Sequence, residues 1–230
     1  MIDRRDEPEL LDQGVGTIQD VQRNLADMWR INRYTGGLHA LTHHLYPRLS
    51  HHQHTITVVD IGCGAANLGV HLVNWAQRNQ IALRVVAVDI AARNLAVARH
   101  NTDEVVDVQL LQADAERLPF PVNRVDYVIS CLLLHHLAPP AIVTLLRRCF
   151  GLVASGIIMS DLVRGWPPML AFRIMQPVFA RHYLTAHDGM LSIRRAYMPD
   201  ELRVLTAQAE LFGAQVYEHF PWRMTLVVDK

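Results

Sequence analysis

Three aspartates, each expected at the end of a strand, are the residues of this chain whose type and spacing best suit the binding of a small ligand. Asp60 ends the apolar run "TITVVD" and precedes "IGCG", Asp89 ends "VVAVD", and Asp114 follows "VQLLQA". Glycine lets backbone approach a ligand closely because it has no Cβ. A carboxylate at the end of the second strand can accept both hydroxyl protons of a ribose. The pattern therefore predicts an adenosine-type ligand.

The spacing of the glycines distinguishes between adenosine-type ligands. The dinucleotide fingerprint is G-x-G-x-x-G with a neutral loop, because a pyrophosphate sits at the helix N-terminus. Here the glycines are Gly62, Gly64 and Gly69, and the Asp60 carboxylate before them would repel a phosphate and attract a cation. S-adenosylmethionine has a ribose, an amine and a sulfonium, and no phosphate. The three acids thus predict S-adenosylmethionine as cofactor, with S-adenosylhomocysteine as product, and argue against a nicotinamide-dependent oxidoreductase.

Histidines are the candidate proton acceptors for methyl transfer. A phenol, with a pKa of about 10, must lose its proton as the methyl group arrives, and histidine is suited to accept it at neutral pH. His187 lies in "TAHDG" next to Asp188, whose carboxylate could orient the imidazole. We expect His187 to be the base, with His136 and His135 after the fourth strand as alternatives. One of that pair could instead face the core and cap a helix.

The sequence does not predict a metal site. A divalent ion holding two substrate oxygens would need carboxylates clustered after the fourth and fifth strands. The fourth strand ends in Ser130 and Cys131, which leaves Asp161 alone. The histidine-rich segment 51–54 has no cysteine or carboxylate at ligand spacing and is interpreted as a polar linker. Cys63 and Cys131 are interpreted as small fillers of the site, since methyl transfer from a sulfonium needs no covalent enzyme intermediate.

Alternating strands and helices must position these residues. From residue 55 onward, short apolar strands are separated by helices, which is typical of a parallel sheet covered on both faces. Only "PW" separates the final two strands, which predicts a hairpin and an antiparallel last strand. We therefore expect an α/β, Rossmann-like, doubly wound sheet of seven mostly parallel strands. An N-terminal helical cap is predicted over 1–54, the ligand-binding domain over 55–230, and a helical insertion or lid over 165–198, after strand five.

Composition narrows the classes of partner. The chain has 230 residues, half of them hydrophobic, and 22 basic residues balance 22 acidic ones, so a nucleic-acid partner is not expected. The N-terminal "MIDRRDEPEL" does not resemble a secretory signal, and no window of about 18 apolar residues predicts a membrane span. Three cysteines suit a reducing compartment better than a disulfide framework. A cytoplasmic location is the expectation.

The ordered motifs resemble those of class I S-adenosylmethionine-dependent methyltransferases over roughly residues 55–230. "VVDIGCGAANLG" is similar to the glycine-rich first motif, "VVAVDI" to the ribose-binding second, and "ADAERLPFPVNRVDYVIS" to the adenine segment and fourth strand. Ala65 and Ala66 depart from the pattern, because many members have a Gly or Ser followed by Gly there. By this resemblance, the methionine part lies at Asp60, Gly62, Cys63 and Gly64, the ribose at Asp89, and adenine at Ile90, Asp114 and Ala115. Ser130, Cys131 and Arg33 complete the predicted cofactor-binding set.

More narrowly, "RINRYTGGLHAL", "CLLLHHL" and "LTAHDGMLSIRRAYMPDEL" resemble a bacterial subgroup found beside type III polyketide synthases and flavin hydroxylases. That resemblance implies a phenolic or quinone-like lipid as the small-molecule acceptor and oxygen as the methylated atom. The acceptor is expected to enter over the apolar run "WPPMLAFRIMQPVFARHYL", which could equally be a core helix or the contact of a homodimer. A catalytically silent protein that binds S-adenosylmethionine as a scaffold remains the alternative function.

Overall fold

A computed structural model describes residues 2–52 and 54–230. The strands are β1 (Ile56–Ile61), β2 (Leu83–Asp89), β3 (Val108–Gln112), β4 (Val125–Cys131), β5 (Val153–Leu162), β6 (Gln215–His219) and β7 (Arg223–Asp229). The α-helices are α1 (Ile18–Tyr34), α2 (Gly37–Leu49), α3 (Asn67–Arg78), α4 (Ala92–Thr102), α5 (Pro139–Leu152), α6 (Trp166–Phe179), α7 (Tyr183–Arg195) and α8 (Pro199–Gln208). Short 3-10 turns occupy Ala115–Arg117 and Leu134–His136.

The strands form one seven-stranded sheet in the order β3-β2-β1-β4-β5-β7-β6. Strands β1 to β5 pair in parallel, and β7 runs antiparallel to both β5 and β6. The predicted fold is therefore confirmed, including the antiparallel last strand. The strand order reverses between β1 and β4, which is where open α/β sheets bind ligands at the carboxyl ends of their strands.

Apolar side chains of the central strands alternate between two cores, one on each face of the sheet. In β1, Val59 and Ile61 pack into one core, while Ile56 and Val58 pack into the other. Burial on both faces explains why the parallel strands appear as continuous apolar runs. Helix α2 contributes Leu38, Leu41, Leu45 and Leu49 to the same core as Ile56 and Val58. The predicted cap over 1–54 thus packs directly on the sheet, and its separation as a domain stays a prediction.

The segment 165–198, predicted as a helical insertion, contains α6 and α7. Pro167 and Pro168 occupy the first positions of α6, where proline costs no hydrogen bond. Gly189 lies inside α7, and a Cβ there would collide with the ring of Phe172. This glycine is therefore needed for the close packing of α6 on α7. No helix within the described ranges is both long and apolar enough to cross a bilayer.

The N-terminal segment before α1 lies across α7 and the turn after β4. The Asp188 carboxylate accepts hydrogen bonds from the backbone N–H groups of Leu10 (2.9 Å) and Leu11 (3.1 Å). The Arg195 guanidinium donates to the carbonyl oxygens of Glu7 (2.9 Å) and His136 (2.9 Å). These contacts hold a non-helical segment against the carboxyl ends of the strands, where periodicity in the sequence could not place it.

Candidate functional site

A cavity of about 540 Å³ lies at the carboxyl ends of β1 and β2. Nine of the sequence-predicted cofactor residues line it: Asp60, Gly62, Cys63, Gly64, Asp89, Ile90, Asp114, Ala115 and Cys131. Two do not. Ser130 is buried in β4, and Arg33 faces a separate depression beside α1, with its guanidinium 5.7 Å from the ring centre of Tyr34. Helix α1, from which the sequence analysis assigned only Arg33 to the cofactor, contributes Met28, Trp29 and Asn32 to the lining.

The loop after β1 requires unusual backbone conformations. Gly62 has φ +71° and Gly64 has φ +55°, both in the left-handed region that glycine adopts without strain. A Cβ on Gly62 would lie 3.0 Å from Leu133, so the loop also needs a small residue there. Ala66 adopts φ +57° before α3 although it is not glycine. Ala66, one of the two alanines that depart from the family pattern, thus adopts the left-handed backbone conformation that glycine favours.

The Asp89 carboxylate ties this loop to the end of β2. One oxygen accepts the Gly64 N–H at 2.9 Å, and the other accepts the Ala91 N–H at 2.8 Å. The Asn94 side chain donates to both oxygens at 3.3 Å, a contact that the sequence analysis missed. Burial raises the pKa of Asp89, and these hydrogen bonds oppose the rise. Ile90 is 67% exposed and lines the same cavity, where it offers an apolar surface beside the carboxylate.

Asp60 is the most buried carboxylate of the first cavity. It is 1% exposed, and its Oδ2 atom has no hydrogen-bond partner among the described residues. Burial raises the pKa of Asp60 to about 8, and the nearby Asp89 carboxylate adds to the rise. A buried acid without a partner is costly unless a ligand satisfies it. A cationic ligand in the cavity would do so, which fits the amine and sulfonium of S-adenosylmethionine.

A second cavity, of about 230 Å³, adjoins the first beneath α6 and α7. Met28 and Leu132 line both cavities and therefore mark where they meet. Its walls are mainly apolar and include Ile31, Leu162, Pro168, Ala171, Phe172, Met175, Ile193 and Trp222. Its polar lining consists of Glu9, Asn24, Thr35, His135, Thr185, Asp188, Ser192 and Arg223, with the hydroxyl of Tyr34. An apolar cavity with a few polar groups is typical of a small-molecule site.

His135 and Asp161 form a buried pair in the wall of the second cavity. The His135 Nδ1 atom lies 2.7 Å from Asp161 Oδ1, and the His135 backbone N–H donates to Oδ2 at 3.0 Å. Burial acts to raise the pKa of Asp161, but the charge and hydrogen bonds of His135 outweigh it and hold that pKa below its usual range. In the neutral imidazole this contact assigns the proton to Nδ1, and Nε2 is then an acceptor. Nε2 has no hydrogen-bond partner among the described residues.

Glu9 of the N-terminal segment lies against both histidines of the turn after β4. Its carboxylate oxygens are 3.6 Å from His135 Nε2 and 3.9 Å from His136 Nε2, and Ser192 Oγ donates to it at 2.6 Å. Burial raises the pKa of Glu9 to about 7. His136 lines the first cavity and pairs with Asp12 through Nδ1 at 2.9 Å. The sequence analysis missed Glu9, because nothing local distinguishes it from the other acids of a charged terminus.

Two groups within the described ranges have the spacing of a metal site. Glu9, His135 and His136 offer ligand atoms within 4.8 Å of one another, and both imidazoles are held at Nδ1 by carboxylates, as metal-binding histidines commonly are. The other group joins His52 and His54 to Asp126 of β4. The segment interpreted as a polar linker therefore does meet a carboxylate, although one distant in sequence. Gln53 of that segment lies outside the described residues.

His187 is separate from the two cavities. Its side chain is 52% exposed, its Nδ1 lies 2.8 Å from Asp188 Oδ1, and it lines neither cavity. The carboxylate expected to orient it also binds the backbone of Leu10 and Leu11 and so anchors the N-terminal segment. The structure therefore brings His135 and His136, and not His187, to the adjoining cavities.

The cysteines of the first cavity are poor nucleophiles. Burial raises the pKa of Cys131 to about 12 and raises that of Cys63 further above its ordinary value. Thiolate is the reactive form of cysteine, and a raised pKa makes it scarce. This chemistry supports the interpretation of both cysteines as fillers.

Comparison with known proteins connects this geometry to an activity. A family model described as a methyltransferase domain matches residues 58–156. The demethylmenaquinone methyltransferase of Bacillus licheniformis is 26% identical over 133 residues, which are 54% of this chain and 55% of that protein, so the match spans about half of each. The ubiquinone/menaquinone biosynthesis C-methyltransferase UbiE of Nitrosospira multiformis is 27% identical over 184 residues, 77% of this chain and 72% of that protein.

The fold is shared with a methyltransferase of known structure. Human N-acetylserotonin methyltransferase, solved in complex with S-adenosylmethionine, superposes with a TM-score of 0.64 at 14% identity, over 96% of this chain and 61% of that chain. The segment matched by the family model carries Asp60, Asp89 and Asp114 to the strand ends that form the first cavity. Residues 58–156 therefore match a methyltransferase domain, and the sheet that contains them has a fold shared with S-adenosylmethionine-dependent methyltransferases of known structure.

Proposed function

We propose that the first cavity binds S-adenosylmethionine and that the second binds a phenolic or quinone-like acceptor whose oxygen is methylated. The observation that carries the proposal is that the two cavities meet at Met28 and Leu132, and that His135, whose buried Nε2 has no hydrogen-bond partner among the described residues, lines the second. The cofactor supplies a methyl group on a cationic sulfur. The names of both curated relatives contain menaquinone, which supports a quinone-like ring as acceptor.

Seven of the nine predicted cofactor residues that line the first cavity have a contact to make in this proposal. Asp60 pairs with the positive charge of the cofactor, and Asp89 accepts hydrogen bonds from the ribose hydroxyls. Ile90 packs on the adenine face, while Asp114 with Ala115 contacts its edge. The glycines at 62 and 64 allow the backbone to approach the methionine part.

His135 is the base in this proposal. Its Nε2 accepts the hydroxyl proton of the acceptor, and Asp161 stabilises the imidazolium that forms. The oxygen then bonds to the methyl carbon as the bond from carbon to sulfur breaks. His136 contacts the cofactor side of the junction, since it lines the first cavity. His187, the base expected from the sequence, serves as the comparison in the test.

The size of the second cavity limits the acceptor. Its volume of about 230 Å³ is below the roughly 300–1,000 Å³ of drug-sized ligand sites. One substituted ring therefore fits, and a long alkyl or prenyl chain must extend outward past α6. Carbon methylation is the second candidate, favoured by the C-methyltransferase relative. In that reaction His135 would take a hydroquinone hydroxyl proton as the ring carbon accepts the methyl group; the ring carbon would then lose its own proton to solvent, and the imidazolium would return the first proton to the oxygen.

The test is turnover on a panel of phenols, naphthols and hydroquinones, with S-adenosylhomocysteine measured by mass spectrometry. We expect turnover with at least one single-ring acceptor and an O-methylated product. Binding of S-adenosylmethionine without turnover on any acceptor would support the silent scaffold.

EDTA should leave the rate unchanged, because the base needs no metal. A loss in EDTA that a divalent ion reverses would assign Glu9, His135 and His136 to a metal site instead.

Cofactor binding should also release a proton from Asp60. Because its pKa in the unliganded protein is about 8, Asp60 is mostly protonated at pH 7, and a cationic ligand favours the ionised form. We expect wild type to release a fraction of a proton approaching one at pH 7, measured by calorimetry in buffers of different ionisation enthalpy. Asp60→Asn should lack this release, and Asp114→Asn should retain it. Equal release by wild type and Asp60→Asn would contradict the assignment.

The same acid makes the stability of the unliganded protein depend on pH. Folding raises the pKa of Asp60 from about 4 to about 8. The contribution of Asp60 to the free energy of unfolding is therefore fully present below about pH 4 and is lost as the pH rises through about 8. Wild type should therefore lose stability relative to Asp60→Asn between these values, which urea unfolding at several pH values would measure.

A further inference from the structure

The outer face of α6 carries a row of exposed apolar side chains. Trp166, Leu170, Ile174 and Val178 follow one another at four-residue spacing and are 67%, 51%, 70% and 59% exposed. This spacing places them on one side of the helix. Single exposed apolar residues are common on soluble proteins, but a contiguous row marks an interaction surface. We refer to these four residues as the α6 row.

The charged side chains within the segment that carries the α6 row are all positive. The chain contains no acidic residue between Asp161 and Asp188. Arg173 and Arg181 are exposed on or just after α6. The third arginine of this stretch, Arg164, is buried and neutralised by Glu201 at 2.7 Å. The face therefore presents apolar side chains together with two unneutralised guanidinium groups.

The inner face of the same helix forms a wall of the second cavity. Pro168, Ala171, Phe172 and Met175 line that cavity. Tyr34 and Trp222 also line it, yet they are 67% and 38% exposed, so they lie at its mouth. Helix α6 thus carries the α6 row on its outer face and lines, with its inner face, the cavity proposed for the acceptor.

We propose that the α6 row binds the surface of a bilayer containing anionic lipids. A helix in the interfacial plane buries its apolar face about 5–10 Å into the boundary between headgroups and acyl chains, and its cationic side chains bind anionic headgroups. Arg173 and Arg181 have long apolar stems that allow this arrangement. If the acceptor is lipidic, this docking sets the cavity mouth at the membrane surface. That last step rests on the proposed function, whereas the docking itself does not.

A second copy of this chain suits the face less well than a bilayer. A two-fold contact places the same surface on both sides. It would bring Arg173 and Arg181 of one copy towards those of the other, without an acidic residue in the segment to neutralise them. Anionic headgroups provide the missing complement.

Co-sedimentation with vesicles tests the proposal in the absence of cofactor and acceptor. We expect wild type to bind phosphatidylcholine vesicles containing about 30% phosphatidylglycerol, and to bind phosphatidylcholine alone more weakly. The double variant Leu170→Glu and Ile174→Glu should weaken binding at least about tenfold, since it places two carboxylates in the apolar layer. Both positions are exposed, so the fold should be retained, and unchanged affinity for S-adenosylmethionine verifies this.

The control changes two apolar residues elsewhere that are still more exposed, Val106→Glu and Phe212→Glu, which are 89% and 86% exposed in wild type. Vesicle binding should be unchanged in this variant. Failure of wild type to sediment with anionic vesicles would overturn the proposal. Dimerisation in light scattering that the Leu170 and Ile174 substitutions abolish, without vesicle binding, would assign the face to a second copy instead. Either outcome leaves turnover on water-soluble phenols, and thus the proposed function, unaffected.

Discussion

His135→Ala should lower kcat by about a hundredfold to ten-thousandfold, the usual contribution of a general base, while the affinity for S-adenosylmethionine changes by less than about twofold. The expectation follows from the position of His135: its Nδ1 is fixed by Asp161 at 2.7 Å, its Nε2 makes no hydrogen bond to the described residues, and the residue lines the second cavity. The measurements are single-turnover kinetics with the best acceptor and calorimetry with the cofactor. Affinity for the cofactor reports whether the variant is folded.

His187→Ala is the matched control for this prediction. That imidazole also pairs with an aspartate, at 2.8 Å, but it is half exposed and lines neither cavity. We expect its kcat to remain within about twofold of wild type. If His187→Ala loses the rate and His135→Ala does not, the base is in the insertion and the assignment to His135 is wrong. His136→Ala should mainly affect cofactor affinity, because that residue lines the first cavity.

Removing His135 leaves a buried carboxylate unpaired, so a variant with less disturbance is also needed. Asp161→Asn preserves the shape of the side chain and removes the charge that stabilises the imidazolium. We expect it to lower kcat at least about tenfold. Glu9→Gln removes the other carboxylate beside this imidazole, which lies 3.6 Å from Nε2, and so separates the contribution of Glu9 to kcat from that of Asp161.

The strand ends were predictable from the sequence for a local reason. An apolar run, an acid and a glycine-rich turn are adjacent in the chain, and parallel strands bring their carboxyl ends to the same edge of a sheet. Asp60, Asp89 and Asp114 therefore line one cavity as expected. Packing of α2 on the sheet and the antiparallel β7 likewise follow from apolar periodicity and a short connection.

The contact between His135 and Asp161 was missed because the two residues are distant in sequence. His187 has an aspartate as its immediate neighbour, whereas the partner of His135 is 26 residues away. The pairing of β4 with β5, with Cys131 opposite Ser160, is what brings the residues after β4 next to Asp161. Knowledge of that register would have suggested the contact. Glu9 had no comparable signal, because its position depends on hydrogen bonds that a non-periodic segment makes to α7.

Asp89→Ala should weaken S-adenosylmethionine binding by about tenfold to a hundredfold. Hydrogen bonds to a charged group contribute about 1.5–3 kcal/mol each, and each 1.4 kcal/mol corresponds to about tenfold in affinity. The carboxylate already accepts the N–H groups of Gly64 and Ala91, so it holds the glycine loop in place as well as facing the cavity. Both roles are lost in the alanine variant, and calorimetry measures their sum.

Two further variants separate the two roles of Asp89. Asp89→Asn keeps one oxygen as an acceptor for the loop but replaces the other with a donor, which cannot accept from a second ribose hydroxyl. Asn94→Ala removes only a neighbour that donates to both oxygens at 3.3 Å, and we expect a change of less than about fivefold. If Asp89→Ala binds S-adenosylmethionine as tightly as wild type, this carboxylate does not contact the cofactor. The ribose would then have to lie elsewhere in the first cavity, and the roles proposed for Ile90 and Asp114 would fail with it.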